Sequence, residues 1–258
     1  MPKNIDILKE FSAFLPNVAG DIEDRVDIAL DNIKNIFPTL FRLTKHMEFN
    51  KTKFINIEEF SKNGDQSQYQ ELKNLLDLYG SDKANKHNYH HFYGNILKPK
   101  FKIKKILEIG MGTNNTDVLS NMGKKGNPGA SLKAFRDFCP NANIYGADID
   151  KRILFEEERI KTFYTDQTDI DSLKELAKKT PDNIDLIIDD GLHSLCANIN
   201  TLIFGIDKIR IGGWVVIEDI QIASKNVWAI VSNLISDRFS TFLIICNKKL
   251  IFALKRVS

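Results

Sequence analysis

The chain has 258 residues, a length that implies one or two domains and a core large enough to need neither disulfides nor a structural metal. Hydrophobic residues make up 43% and charged residues 27%, which excludes a disordered chain and a membrane bundle. Lys and Arg number 36 against 34 acids, a net charge of +2, and Arg supplies only 8 of the 36, so the charge does not favour a nucleic-acid partner.

Three widely spaced cysteines, Cys139, Cys196 and Cys246, form neither a disulfide framework nor a zinc pattern and suit a reducing compartment. The first residues contain no apolar signal region, and no apolar run reaches the ~18 residues of a membrane span, so a cytoplasmic location is expected. From Asp21, the apolar positions Ile22, Val26, Ala29, Leu30, Ile33 and Phe37 recur at helical spacing, and Pro38 is expected to stop that helix. After a polar breaker at 61–66, Tyr69, Leu72, Leu75, Leu76 and Tyr79 define a second amphipathic helix with Gly80 as its C-cap. Residues 1–78 therefore read as an N-terminal helical segment serving as lid or oligomerisation element. Its apolar faces need cover, from the sheet domain or from a second subunit, and a homodimer is expected.

From about Phe101 the texture changes. Strand-like runs at 103–109, 143–147, 161–165, 184–188 and 214–217 alternate with or precede helix-like runs at 131–138, 171–179, 194–206 and 227–235. This alternation implies an α/β fold with a mostly parallel sheet covered on both faces. Residues 241–246 and 250–254 then read as a hairpin, making the last strand antiparallel.

Ligands of open α/β sheets bind at the carboxyl ends of the strands. The first strand ends in Glu108-Ile109-Gly110-Met111-Gly112, whose glycines let backbone approach a ligand; Asn115 stands where a dinucleotide fingerprint needs Gly or Ala. The second ends in Asp148, suited to ribose hydroxyls, and the third leads to Asp166 and Gln167, suited to an adenine edge. Polar strand ends without a pyrophosphate cradle point to a nucleoside ligand such as S-adenosylmethionine. The fourth strand delivers Asp189-Asp190-Gly191-Leu192-His193 and the fifth delivers Glu218-Asp219. Such crowded carboxylates need a compensating charge, and a Mg2+ ion on Asp190, Glu218 and Asp219, with His193 as general base, answers that need. The plainer reading makes Asp190 and Asp219 helix caps and His193 an ordinary satisfied histidine. Upstream, Lys83, His87, Tyr89 and Tyr93 lie in a polar-aromatic cluster read as a lid facing the substrate, or as an ordinary linker.

The stretches Y-G-S-D-K, E-I-G-M-G-T-N-N, P-G-A-S-L, Y-G-A-D-I-D, D-Q-T-D, I-D-D-G-L-H and V-I-E-D together resemble the class I S-adenosylmethionine-dependent methyltransferases. More narrowly they resemble the macrocin and mycinamicin type of sugar O-methyltransferase and similar chains that methylate capsular heptoses. The resemblance covers about Leu78 to Asp219 and implies a methyltransferase domain over 79–258 with a Rossmann-like fold. It also implies that Glu108, Gly110 and Gly112 line the methionine part of the cofactor, that Asp148 holds the ribose, and that Asp166 and Gln167 approach the adenine; Asp189 is grouped with this set. By the same likeness Asp190, Glu218 and Asp219 bind Mg2+, and His193, with Asp190, carries the catalysis. Leu192 stands where the family more often has Ser. The implied substrate is the hydroxyl of a nucleotide-linked sugar. Other small polar acceptors such as a phosphoramidate, a non-catalytic cofactor-binding module and an RNA methyltransferase stand as alternatives.

Overall fold

The computed structural model describes residues 12–16, 21–44 and 52–258. They fall into two compact units divided between Asn50 and Lys51. In the first, helix α1 (Ile22–Thr44) runs through Pro38 instead of stopping there, because a proline removes one backbone donor and a helix can absorb that loss. Before this helix, Ser12–Phe14 form a short 3-10 turn, and positions 1–11, 17–20 and 45–51 lie outside the described residues.

The second unit is built on one nine-stranded sheet in the order β1-β8-β9-β7-β6-β2-β3-β5-β4. Its strands are β1 (Thr52–Asn56), β2 (Lys105–Ile109), β3 (Asn143–Asp148), β4 (Glu156–Glu157), β5 (Ile160–Tyr164), β6 (Ile184–Asp189), β7 (Ile209–Gln221), β8 (Phe239–Cys246) and β9 (Lys249–Arg256). The pairs among β2, β3, β5, β6 and β7 are parallel, whereas β9 runs antiparallel to both β7 and β8. The expected α/β sheet with a reversed last strand is thus present. Its centre reads as the sequence said it would: all six residues of β6, Ile-Asp-Leu-Ile-Ile-Asp, are buried, as a parallel strand covered on both faces requires.

The compact unit begins at Lys51, not at position 79 where the sequence placed the domain boundary. Residues 52–56 form an edge strand paired parallel with β8, and α2 (Ile57–Ser61) and α3 (Gln66–Tyr79) continue the same unit. The helical periodicity of α3 was legible, and its apolar stripe packs into the core of this unit: Leu72 and Leu76 share one cluster with Tyr89, Phe92 and Tyr93 of α4 (Tyr89–Ile96) and with Phe135 and Phe138 of α5 (Ala130–Phe138). Asp65 caps α3 by accepting the Ser67 N–H at 3.0 Å, and Gly80, at φ +80°, ends it in the left-handed conformation. The opposite sheet face buries Leu107, Ile187 and Val215 against α6 (Ile170–Lys179), α7 (Leu195–Lys208) and α8 (Lys225–Leu234), through Leu173, Leu202 and Trp228. Among the described residues no helix is long and apolar enough to cross a membrane.

This topology fixes where a ligand can sit. From β2 the chain moves one way through β3 to β5, then returns to the other side for β6 and β7, so the order reverses between β2 and β6. The gap left outside the carboxyl ends at such a reversal is the natural crevice of a doubly wound sheet.

Candidate active site

A cavity of about 520 Å3 occupies that reversal point. Gly110, Gly112, Asp148, Asp166, Gln167 and Asp190 all line it, so most of the nucleoside-facing set expected from the sequence converges. Gly110 is indispensable to the shape. Its φ is +88°, and a Cβ there would lie 2.3 Å from the Asp190 carbonyl oxygen and 2.5 Å from Gly191 Cα, so any side chain would force β2 and β6 apart.

The acids on this side are organised by backbone donors. Asp148 accepts the Met111 N–H on one oxygen and the Asp150 N–H on the other, both at 2.9 Å. Burial raises its carboxyl above the usual range, and those two bonds oppose the rise. Each oxygen keeps a free lone pair for a sugar hydroxyl. Asp166 accepts the Thr168 N–H at 2.8 Å and the Thr168 hydroxyl at 2.7 Å, a local turn that leaves its edge on the cavity. Gln167 is more heavily committed than an adenine reader would be. Its Nε2 donates to Thr201 Oγ1 at 2.8 Å and its Oε1 accepts the Leu192 N–H at 3.0 Å, so the amide ties β5, α7 and the β6 loop together. One wall the sequence reading missed is Asp150, which accepts from Thr113 Oγ1, Asn115 Nδ2 and Arg152 Nε at 2.7 Å each. The signal was present in Ala-Asp-Ile-Asp, where a second acid two residues beyond the first follows the same strand end.

Two residues grouped with the cofactor lie elsewhere. Asp189 is fully buried, accepting Asn198 Nδ2 at 3.0 Å and the Gly191 N–H at 3.2 Å, and does not line the cavity. Glu108 is equally buried, accepting the Ser131 hydroxyl at 2.5 Å, and also stands outside it. A buried acid at a strand end goes where donors are, and here the donors sit behind the sheet rim.

The β6–β7 side is built differently. Lys83, only 2% exposed, places its Nζ 2.6 Å from Asp190 Oδ2, in contact with Glu218 Oε2, and 3.1 Å from Glu108 Oε1 without hydrogen-bond alignment. Burial alone would lower the Lys83 ammonium, but Asp190, Glu218 and Glu108 outweigh it and hold it well above the usual lysine range. Burial pushes the Glu108 and Glu218 carboxyls upward and the ammonium opposes that rise. The Tyr93 hydroxyl donates to Glu218 Oε1, and the Tyr89 hydroxyl donates to Asp219 Oδ1 at 2.6 Å. Lys83, Tyr89 and Tyr93, expected to face substrate, are therefore buried under the carboxylates and spent on them, because desolvated acids require donors. His87 is the member of that group with an accessible ring, stacked on Tyr89 with its Nδ1 3.5 Å from Asp219 Oδ1.

What remains open to ligand is a smaller group. Asp190, His193 and Asp219 each offer an atom, and these atoms lie within 4.8 Å of one another; His193 Nε2 is 3.9 Å from Asp190 Oδ1. His193 (φ 56°) and Asp219 (φ 55°) both adopt the left-handed backbone that non-glycine residues avoid, a local cost typical of functional loops. The register between β7 and β9 slips between Ile217 and Ile220, so Glu218 and Asp219 sit on a bulge that turns them onto the rim. Two carboxylates beside an imidazole suit a divalent cation with oxygen preference. Glu218, the third ligand expected, is already engaged by Lys83 and Tyr93.

No family model matches the chain. It is 33% identical over 120 residues to the mycinamicin VI 2''-O-methyltransferase of Micromonospora griseorubida, covering 46% of this chain and 28% of that protein. It is 34% identical over 120 residues to the demethylmacrocin O-methyltransferase of Streptomyces fradiae, with the same coverages of 46% and 28%. Over 151 residues it is 29% identical to the 8-demethyl-8-alpha-L-rhamnosyl tetracenomycin-C 2'-O-methyltransferase of Streptomyces olivaceus, 58% of this chain and 38% of that one. The chain thus spans between about a quarter and two fifths of the length of these relatives. Among solved structures, the MycE methyltransferase of mycinamycin biosynthesis in complex with Mg and SAH aligns at a TM-score of 0.59 and 24% identity, over 72% of this chain and 55% of that one. The fold is therefore the Rossmann-like fold of class I methyltransferases, and the chain resembles the S-adenosylmethionine-dependent sugar O-methyltransferases.

Proposed function

We propose that this chain transfers the methyl group of S-adenosylmethionine to a sugar hydroxyl, on a nucleotide-linked heptose or related precursor of a capsular or surface polysaccharide. The observation that carries the reading is that Asp190 belongs both to the cavity wall and to the Asp190–His193–Asp219 group, so an adenosyl ligand and a reacting hydroxyl would meet there. The named activities of the relatives agree with it: all three are O-methyltransferases, one of them acting on a rhamnosyl compound.

In the reaction the C–S bond of the sulfonium breaks as the C–O bond forms, and the hydroxyl proton must leave. Asp148 and the backbone around Gly110 and Gly112 would hold the adenosyl and methionine portions. His193 would hold the acceptor hydroxyl and take its proton on Nε2, a role that typically contributes ~10²–10⁴ in rate. Alignment of the two reactants contributes up to ~7–11 kcal/mol in the best intramolecular cases. Asp190 and Asp219 would hold a divalent cation, which when bound lowers the pKa of a coordinated hydroxyl.

The test is incubation of the full chain with S-adenosylmethionine and a panel of nucleotide sugars, followed by mass spectrometry for a methylated product. A methylated nucleotide sugar is expected. His193→Ala is expected to lower turnover by about 10³ while calorimetric S-adenosylhomocysteine binding stays within about twofold, since the imidazole is not a cavity wall. Near-normal turnover in that variant would remove His193 from the mechanism. Absence of any methylated sugar from wild type would remove the proposed substrate class.

A further inference from the structure

We infer that Lys83 is a resident counter-ion that divides the acid cluster in two and withholds Glu218 from cation binding. The inner half comprises Glu108, Glu218 and Oδ2 of Asp190, all gathered on the Lys83 ammonium. The outer half comprises Oδ1 of Asp190, Asp219 and His193, gathered on one another at the rim. Asp190 is shared: one oxygen binds the ammonium at 2.6 Å and the other points to the imidazole at 3.9 Å.

The assignment rests on how the buried charges are matched. A carboxylate buried as deeply as Glu218, 1% exposed, is tolerable only with its charge answered and its lone pairs filled. Lys83 answers the charge and the Tyr93 hydroxyl fills the other oxygen, so Glu218 has both oxygens occupied by protein donors. A cation recruiting Glu218 would have to displace the ammonium from it and would then leave the buried Lys83 with only Glu108 and the shared Asp190 to answer its charge. Asp219 differs: its hydroxyl donor Tyr89 and the neighbouring His87 leave it 18% exposed in its side chain, without an ammonium. Lys83 also lies within ion-pair distance of Asp190, so its charge opposes a second cation on the outer half and sets that affinity below what the acids alone would give. Lys83 is thus a positioning residue: it fixes Asp190, and through Asp190 the geometry offered to the cation and to His193.

This inference rests on the proposal that Asp190 and Asp219 hold a divalent cation, and its test reads cation binding directly, apart from methyl transfer. Mn2+ binding to the full chain is followed by the electron paramagnetic resonance of free Mn2+, with far-ultraviolet circular dichroism as the folding check. Asp219→Asn is expected to weaken binding about tenfold or more, and Glu218→Gln to weaken it clearly less, by about threefold, through the uncovered Lys83 charge alone. Lys83→Met is expected to tighten it about tenfold, because the opposing charge is gone and Glu218 is released. Lys83→Arg, which keeps the charge, is expected to stay within about threefold of wild type. If Lys83→Met fails to fold, the charge-compensated Lys83→Met/Glu108→Gln variant carries the same expectation. Weakening by Glu218→Gln equal to that of Asp219→Asn overturns the division, as does Lys83→Met binding no tighter than wild type. Absence of Mn2+ binding in wild type and every variant overturns it together with the cation reading, whereas methyl transfer to a nucleotide sugar, assayed separately, decides the reaction.

Discussion

The two halves of the sheet rim meet the same difficulty, acidic side chains withdrawn from water, by opposite means. On the β2–β3–β5 half, Asp148 and Asp166 are satisfied largely by backbone N–H groups and by a hydroxyl two residues away, with Asp150 the exception, held by the side chains of Thr113, Asn115 and Arg152. On the β6–β7 half, Asp190, Glu218 and Asp219 are satisfied by the side chains of Lys83, Tyr93 and Tyr89, which stand 107, 125, 130 and 135 positions away along the chain. Backbone donors are neutral and fixed, so the first half keeps a stable, shaped cavity with spare acceptor capacity. An ammonium and two phenols are donors brought in by another element, and removing one leaves a buried acid bare, so the second half is where substitution changes charge balance.

The sharpest break is at the seam. Gly110→Ala places a methyl group against Asp190 and Gly191 backbone and forces a residue with a Cβ to adopt φ +88°. It is expected to cost about 2–4 kcal/mol of stability and to weaken S-adenosylhomocysteine binding about a hundredfold, measured by urea unfolding and calorimetry. Normal binding would show that the cavity does not depend on the contact between the two halves. A smaller effect should isolate the backbone-satisfied half. Asp148→Asn turns one acceptor into a donor facing a backbone N–H and is expected to weaken the same ligand about tenfold, while leaving Mn2+ binding unchanged. Equal losses of both ligands would mean that the halves are not separable.

The mildest test uses pH and addresses the helix that supplies Tyr89 and Tyr93. His90, on α4, is 6% exposed with an unpartnered Nδ1, and burial, aided by His91 and Lys73, lowers its imidazole from 6.5 to about 4. A folded value below the unfolded one means that the unfolded chain binds more protons between those limits. Stability therefore rises with pH through that window and is lost as pH falls from about 6.5 toward 4. Unfolding free energies at pH 7.5 and 5.0 are expected to differ by about 1–2 kcal/mol from this group, and His90→Gln should flatten the slope by that amount. An unchanged slope would place the acid sensitivity of α4 in other residues.

Much of this was legible beforehand, and the comparison of the two halves explains which part. The strand runs, the reversed β9, the Gly80 cap and the convergence of Gly110, Asp148, Asp166 and Asp190 on one rim follow from apolar periodicity and from what parallel strands do with their carboxyl ends. The edge strand β1 was not legible, because five residues gain strand character from pairing with β8, far along the chain. Pro38 misled for a related reason: a local breaker rule was outweighed by the helix continuing beyond it.

The acid cluster marks the same boundary in chemical terms. Sequence by itself determined that Asp190, Glu218 and Asp219 would crowd together and that some positive charge had to answer them, since strand order and side-chain type are enough to require it. Only the tertiary structure decided that much of this charge is Lys83, that the Tyr89 and Tyr93 hydroxyls donate to the carboxylates, and that both oxygens of Glu218 have protein donors. The reason is physical: an acid satisfied by its own neighbouring backbone advertises the arrangement in its spacing, whereas one satisfied from more than a hundred residues away depends on how α3 and α4 dock on the sheet, which no local pattern contains.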